Sequence, residues 1–247
     1  MDAIAPAAGD RILEIGPGPG VLTTRLAARA ESVVAIEVDR DLAGDLRHDM
    51  PPNVLVIEGD ILDVDLGQFL SERPLRVAGN LPYNISSPIL FKLLGAARQA
   101  PSLVDATVML QLEVVERLAA VPGTRDYGVL TIFANAQADV TRLLTLPPGA
   151  FRPAPKVHSA VVRLAFKPPA VPAELAPLFE RMVRSMFMQR RKTAGNALRP
   201  FADSMRIAPV MALSAAGLDP VRRPETFALP DLLRLAAVFA QSGGQRP

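Results

Sequence analysis

Residues 79–94, GNLPYNISSPILFKLL, follow the short apolar run LRVA and lead into a helical pattern. Asn80, Leu81, Pro82 and Tyr83 therefore sit where a buried strand turns into a helix. Such a turn is either a capped loop or a set of tools for gripping a flat, hydrogen-bonding substrate. The second reading has a definite chemistry. The exocyclic amine of adenine or cytosine is a poor nucleophile, because its lone pair is delocalised into the ring. It can attack an electrophilic methyl group once acceptors draw its hydrogens out of the ring plane. The side-chain oxygen of Asn80 and the backbone carbonyl of Leu81 or Pro82 could accept them. Pro82 stiffens the turn, and Tyr83 offers a face to an unstacked base. Positioning and oriented dipoles would then carry the rate without a strong general base.

A methyl donor needs its own site, and three strand ends could supply it. LEIGPGPG places Gly16, Gly18 and Gly20 directly after an apolar run. Glycines there let the backbone turn tightly and approach a ligand at the start of a helix. The spacing is G-x-G-x-G, not the G-x-G-x-x-G of a dinucleotide site. Glu14 lies inside the preceding strand, where a carboxylate needs a partner, and a ligand amine would be one. Glu37 closes the next strand, 21 residues after Gly16, a distance suited to accepting both hydroxyls of a ribose. Asp60, in IEGDI, closes the third and could accept from an adenine amino group. An amine, a ribose and an adenine together describe S-adenosylmethionine (SAM) better than NAD.

These residues must be positioned by regular elements. RILEI (11–15), SVVAIEV (32–38), NVLVIEG (53–59), LRVAG (75–79) and ATVMLQL (106–112) read as buried strands. VLTTRLAARA, RDLAGDLRHDM and SSPILFKLLGAARQ, between them, have apolar residues spaced by three and four. The alternation predicts an α/β fold with a doubly wound, mostly parallel sheet. Ligands of such sheets bind at the carboxyl ends of the strands. Further on, GVLTIFANAQA reads as a helix, and ADVTRLLTL and KVHSAVVRLAF as strands. The proline cluster KPPAVPAEL marks a boundary near residue 168, and helical patterns follow it. We therefore expect a sheet domain over residues 1–168 and a small helical domain over 169–247.

Composition narrows the function classes. The chain has no cysteine and two histidines, His48 and His158, which removes disulfides, cysteine nucleophiles and a histidine-rich zinc site. No apolar run is long enough to span a membrane, and MDAIAPAAGD has neither the basic nor the apolar region of a signal peptide. A cytoplasmic monomer without metal is the expectation. The net charge of +2 conceals an asymmetry. Residues 1–141 carry 11 Lys/Arg against 19 Asp/Glu, and residues 142–247 carry 16 against 6. A basic half with few acids suits a nucleic-acid surface.

LEIGPGPG, IEVDRDL, IEGDIL, GNLPYNISSPILFKLL, FRPAPKVHSAVVRL, QRRKTAGNAL and GLDPVRRPE occur in that order over nearly the whole chain. Together they resemble the KsgA family of small-subunit ribosomal RNA adenine dimethyltransferases. QRRKT and RPE resemble that branch more than the related large-subunit enzymes. The resemblance implies a Rossmann-like SAM-dependent methyltransferase domain followed by an RNA-binding helical domain. It implies dimethylation of the N6 amines of two adjacent adenines in the 3′-terminal hairpin of 16S RNA, on an assembling 30S subunit. It assigns Glu14, Gly16, Gly18, Glu37, Asp60, Ile61 and Asn80 to the cofactor. Tyr83 and Phe151 would hold the target base, and Lys156, Arg190, Arg191 and Lys192 would meet RNA phosphates. The family's N-terminal Gly-Gln-Asn-Phe-Leu motif is absent from MDAIAPAAGD, so weakened SAM binding is a further expectation. A non-catalytic RNA-binding assembly factor is the alternative of a different class.

Overall fold

The computed structural model describes residues 1–152 and 154–243. They form two compact units, Met1–Glu116 with Gln137–Pro168, and Arg117–Ala136 with the described residues from Pro169 onward. Among the described residues, no helix is long and apolar enough to cross a membrane.

The first unit is built on one sheet. Its strands are β1 (Arg11–Ile15), β2 (Ser32–Glu37), β3 (Val54–Glu58), β4 (Leu75–Asn80), β5 (Leu103–Gln111), β6 (Ala138–Leu146) and β7 (Ser159–Phe166). Their spatial order is β3-β2-β1-β4-β5-β7-β6. β1 to β5 pair in parallel, and β7 runs antiparallel between β5 and β6. The helices α1 (Val21–Ala27), α2 (Arg40–Asp49) and α3 (Ser86–Gln99) are the crossovers. Helices on both faces explain why the central strands are unbroken apolar runs rather than alternating ones. Ile12, Leu13 and Ile15 of β1 are almost wholly buried. α3 buries Ile89, Leu90, Leu93 and Leu94, spaced as one face of a helix requires. Asp39 caps α2, its carboxylate accepting from the amides of Asp41 and Leu42.

The strand boundaries follow the sequence closely, and one short helix does not. α4 (Leu112–Leu118) runs straight off β5. No glycine, proline or other turn residue separates them, so the pattern around Leu112 reads as continuing strand.

The second unit is helical: α5 (Val129–Asn135), α6 (Ala176–Met188), α7 (Ala194–Ser204), α8 (Pro209–Ala215) and α9 (Leu229–Gly243). Its core joins Tyr127, Ile132 and Ala136 to Phe179, Met182, Phe227 and Phe239. The buried Tyr127 hydroxyl donates to the Phe227 carbonyl at 2.9 Å. Residues 117–136, grouped in the sequence with the sheet domain, thus belong to the helical unit. The physical reason is this apolar packing, which chain order does not reveal. The break at residue 168 is the third point at which the chain passes between units, after those at 116 and 136.

The order of strands turns around between β1 and β4, the strands that carry Glu14 and Asn80. Ile15 is in register with Gly79. A Cβ on Gly79 would lie 2.5 Å from the Ile15 carbonyl oxygen, a backbone atom that no rotamer change can remove. Gly79→Ala is expected to push β1 and β4 apart and to destabilise the protein by about 1–3 kcal/mol, the usual cost of overpacking. Urea unfolding would measure it. A midpoint equal to that of the wild type would show that the strands separate freely.

Candidate active site

Two hollows open at the carboxyl ends of β1 and β4, where a crevice is expected in a sheet of this kind. The first, of about 290 Å³, is lined by Glu14, Gly16, Gly18, Arg25, Asn80 and Met1 among others. The second, of about 510 Å³, includes Glu37, Asn80, Leu81, Pro82, Tyr83 and Phe151 in its wall. Gly16, Gly18 and Asn80 line both. Asn80 therefore stands where the hollows meet.

The loop after β1 is shaped by backbone that other residues rarely adopt. Gly16, Gly18 and Gly20 have φ of 65°, 55° and 79°, the left-handed region open to glycine. The turn lets the Gly18 amide donate to Glu37 Oε2 at 3.0 Å, while the Asp39 amide donates to Oε1 at 3.0 Å. Glu37 is buried and held rigidly by these bonds. Each oxygen keeps a second lone pair, so the carboxylate still suits a vicinal diol.

Glu14 is in a different condition. It is 1% exposed, and its Oε2 has no hydrogen-bond partner among the described residues. Burial pushes its pKa up from 4.5 to about 7. The nearby Thr23 hydroxyl lowers it in part, and the negative charge of Glu37 raises it further. That offset is incomplete, because Thr23 Oγ1 itself makes no well-formed hydrogen bond among the described residues. An unpartnered buried oxygen on the wall of a hollow fits a cationic group of a ligand, which would compensate the desolvated charge.

The start of the chain helps to enclose this hollow. Arg76 Nη1 bonds Asp10 at 2.7 Å, and its Nη2 bonds Asp105 at 2.9 Å and the Ile4 carbonyl at 2.8 Å. Arg163 Nη2 donates to the Ala3 carbonyl at 2.7 Å. These guanidiniums hold the first turn, and Met1 lines the same hollow as Glu14 and Asn80. Nothing in the sequence pattern singles out Arg76 or Arg163.

The NLPY turn is held at its ends and open in its middle. The Leu81 amide donates to the Met109 carbonyl, the Ile85 amide to that of Pro82, and the Ser86 hydroxyl to that of Tyr83. The Tyr83 hydroxyl is 2.6 Å from Ser159 Oγ. Ser159 is fully buried at the start of β7, and sequence reasoning does not reach it. Its signal is a small polar residue on the inward face of a strand, a group that requires a partner. The Asn80 side chain and the Leu81 carbonyl make no hydrogen bond to any described residue. Of the two carbonyls left open by the sequence, Leu81 is thus the unoccupied acceptor.

Some expected residues lie elsewhere. Asp60 and Ile61 line neither hollow. Asp60 Oδ1 accepts from the Leu62 amide at 2.8 Å and shapes its own loop, and Ile61 is buried. Lys156 is exposed. In the helical unit, Arg190 donates to the carbonyls of Tyr127 and Arg125 and pairs with Glu225 at 3.4 Å. It braces the loop before α5, a use that competes with the expected phosphate contact. Arg191 and Lys192 are exposed, without a side-chain partner among the described residues.

The buried Glu14 makes a pH prediction. Between pH 4.5 and about 7 the unfolded chain has lost this proton while the folded chain retains it. The native state therefore binds more protons, and its stability falls as pH rises through the window. Comparing pH 5 with pH 8, the wild type should lose about 2–3 kcal/mol more unfolding free energy than Glu14→Gln. Urea titrations of both proteins at the two pH values would measure this, and equal losses would contradict it.

A model of the family described as ribosomal RNA adenine dimethylase matches residues 1–211. The ribosomal RNA small subunit methyltransferase A of Pseudomonas aeruginosa is 44% identical, over 100% of this chain and 90% of its own. That of Geobacter sulfurreducens is 43% identical, over 98% of this chain and 89% of its own. A crystal structure of a dimethyladenosine transferase from Plasmodium falciparum is similar with a TM-score of 0.77 and 26% identity, over 98% of this chain and 94% of its own. The 23S rRNA methyltransferase ErmE gives 0.67 and 28%, over 97% and 95%. With the strand order, the glycine turn and the NLPY turn of the sheet unit, these matches place the chain in the ribosomal RNA adenine dimethylase family.

Proposed function

We propose that this protein transfers methyl groups from SAM to the N6 amines of adenines in small-subunit ribosomal RNA, two adjacent adenines of the 3′-terminal hairpin being the target. The observation that carries the reading is Asn80. Its unpaired side chain stands where a hollow holding an orphaned carboxylate meets one lined by Tyr83 and Phe151. The curated relatives, at 44% and 43% identity, are named as small-subunit enzymes. The large-subunit enzyme ErmE is 28% identical, which favours the first substrate over the second.

Glu14 would take the amino group of the methionine part, and Glu37 the ribose hydroxyls. Bound there, SAM supplies a methyl group on a sulfonium, which departs as a neutral thioether when its carbon–sulfur bond breaks. The protein's own work is on the adenine. Tyr83, fixed by Ser159, and Phe151 would hold the unstacked ring. Asn80 Oδ1 and the Leu81 carbonyl would accept the two N6 hydrogens, localising the lone pair on nitrogen in line with the methyl carbon. After the nitrogen–carbon bond forms, the amine is strongly acidic and its extra proton passes to water. Exposed Arg191, Lys192 and Lys156 would meet the phosphates of a folded RNA.

Methyl incorporation into small subunits lacking the modification tests the reading, and a folded wild-type protein that transfers none would overturn it. Asn80→Ala should lower incorporation by ~10²–10³, as loss of one oriented dipole usually does. RNA affinity should change less than a few-fold. Near-normal turnover would remove Asn80 from the chemistry.

The basic loop after α6 gives a separate test. Arg191→Gln with Lys192→Gln should flatten the log–log salt dependence of RNA binding by about 0.7–0.9 for each phosphate no longer neutralised. Arg190→Gln should instead lower the melting temperature. An unchanged slope in the double variant would move the RNA surface elsewhere.

A further inference from the structure

The hollow around Tyr83 and Phe151 has one cation in its wall among the described residues, Arg152. Neither the cofactor contacts nor the seating of a base uses it. Arg152 is exposed and has no hydrogen bond or ion pair to any described residue. The carboxylate in the same wall, Glu37, is buried, and both its oxygens already accept backbone amides. The surrounding segment, PPGAFRPAPKVH (147–158), contains no acid at all. A guanidinium left without a counter-ion at the mouth of a substrate hollow calls for an anion from the substrate.

We propose that Arg152 binds the phosphodiester flanking the target adenine, a contact that rests on the reading of Tyr83 and Phe151 as the seat of the base. When the base enters this hollow, its ribose and phosphates must stay at the rim. The residue next to the aromatic Phe151 is placed to meet them. The planar fork of arginine presents two parallel donors to phosphate oxygens, a geometry that lysine lacks. The contact makes the site selective for an adenine within a polynucleotide chain, because free adenine and adenosine lack the anion.

The test pairs a protein change with an RNA change. Small subunits are reconstituted with 16S RNA whose ligated 3′ segment carries one neutral methylphosphonate, on the 5′ or the 3′ side of the target adenine. For unmodified subunits, Arg152→Ala should lower kcat/KM about ten- to a hundredfold, as loss of a charge-assisted hydrogen bond does. Arg152→Lys should recover part of this, with the Kd for SAM and the melting temperature unchanged in both. For the wild type, one of the two methylphosphonates should cause a similar loss. With Arg152→Ala, that same methylphosphonate should cause little further loss. Independent, additive losses at both positions would overturn the proposal, as would wild-type kinetics for Arg152→Ala. Wild-type transfer to unmodified subunits is the internal control: its absence refutes the functional reading itself, whereas its presence with additive losses refutes only the role of Arg152.

Discussion

The site depends on how closely two backbones approach. β1 and β4 are parallel neighbours at the point where strand order turns around, and Gly79 lies against the Ile15 carbonyl with no room for a methyl group. That contact brings the glycine loop after β1 beside the NLPY turn after β4. Both loops leave the sheet at one edge, and Asn80 is carried into the wall of both hollows. The acids on β1 and β2 reach the same edge because a parallel sheet points all its carboxyl ends one way.

Around this contact the polar groups divide into those already satisfied and those held open. Glu37 is tied by two amides, Tyr83 by Ser159, and Pro82 by the Ile85 amide. These bonds set geometry. Glu14 Oε2 is buried without a partner among the described residues, while the exposed Asn80 side-chain amide and the Leu81 carbonyl make no hydrogen bond to any of them. An unmatched buried polar group costs stability, and it is retained where a ligand supplies the match. The raised pKa of Glu14 is the visible sign of that cost.

The same division explains the basic residues. Arg76, Arg163 and Arg190 are consumed within the fold, strapping the first turn or bracing the loop before α5. Arg152, Arg191 and Lys192 are exposed and unpaired among the described residues. A charge map alone merges the two groups. Only the second can release counterions to an RNA phosphate without dismantling a native contact.

The sequence by itself determined the strands and crossover helices, because β-branched runs and helical spacing are local properties set by what each face buries. It also determined the candidate turn, since an amide, a proline and a ring in that order at a strand end are legible without coordinates. α4 was hidden because no turn residue separates it from β5. The allegiance of residues 117–136 was hidden because packing partners such as Phe179 and Phe227 lie far along the chain. Arg190 and Arg191 are adjacent and chemically identical, and only the nearby Tyr127 and Arg125 carbonyls and Glu225 tell brace from free cation. By residue type and spacing Asp60 reads as ending its strand as Glu37 does, yet β3 stops at Glu58 and Asp60 lies outside both hollows. Tertiary structure decided these cases because hydrogen bonds and burial depend on distances between residues far apart in sequence, which residue type and spacing do not encode.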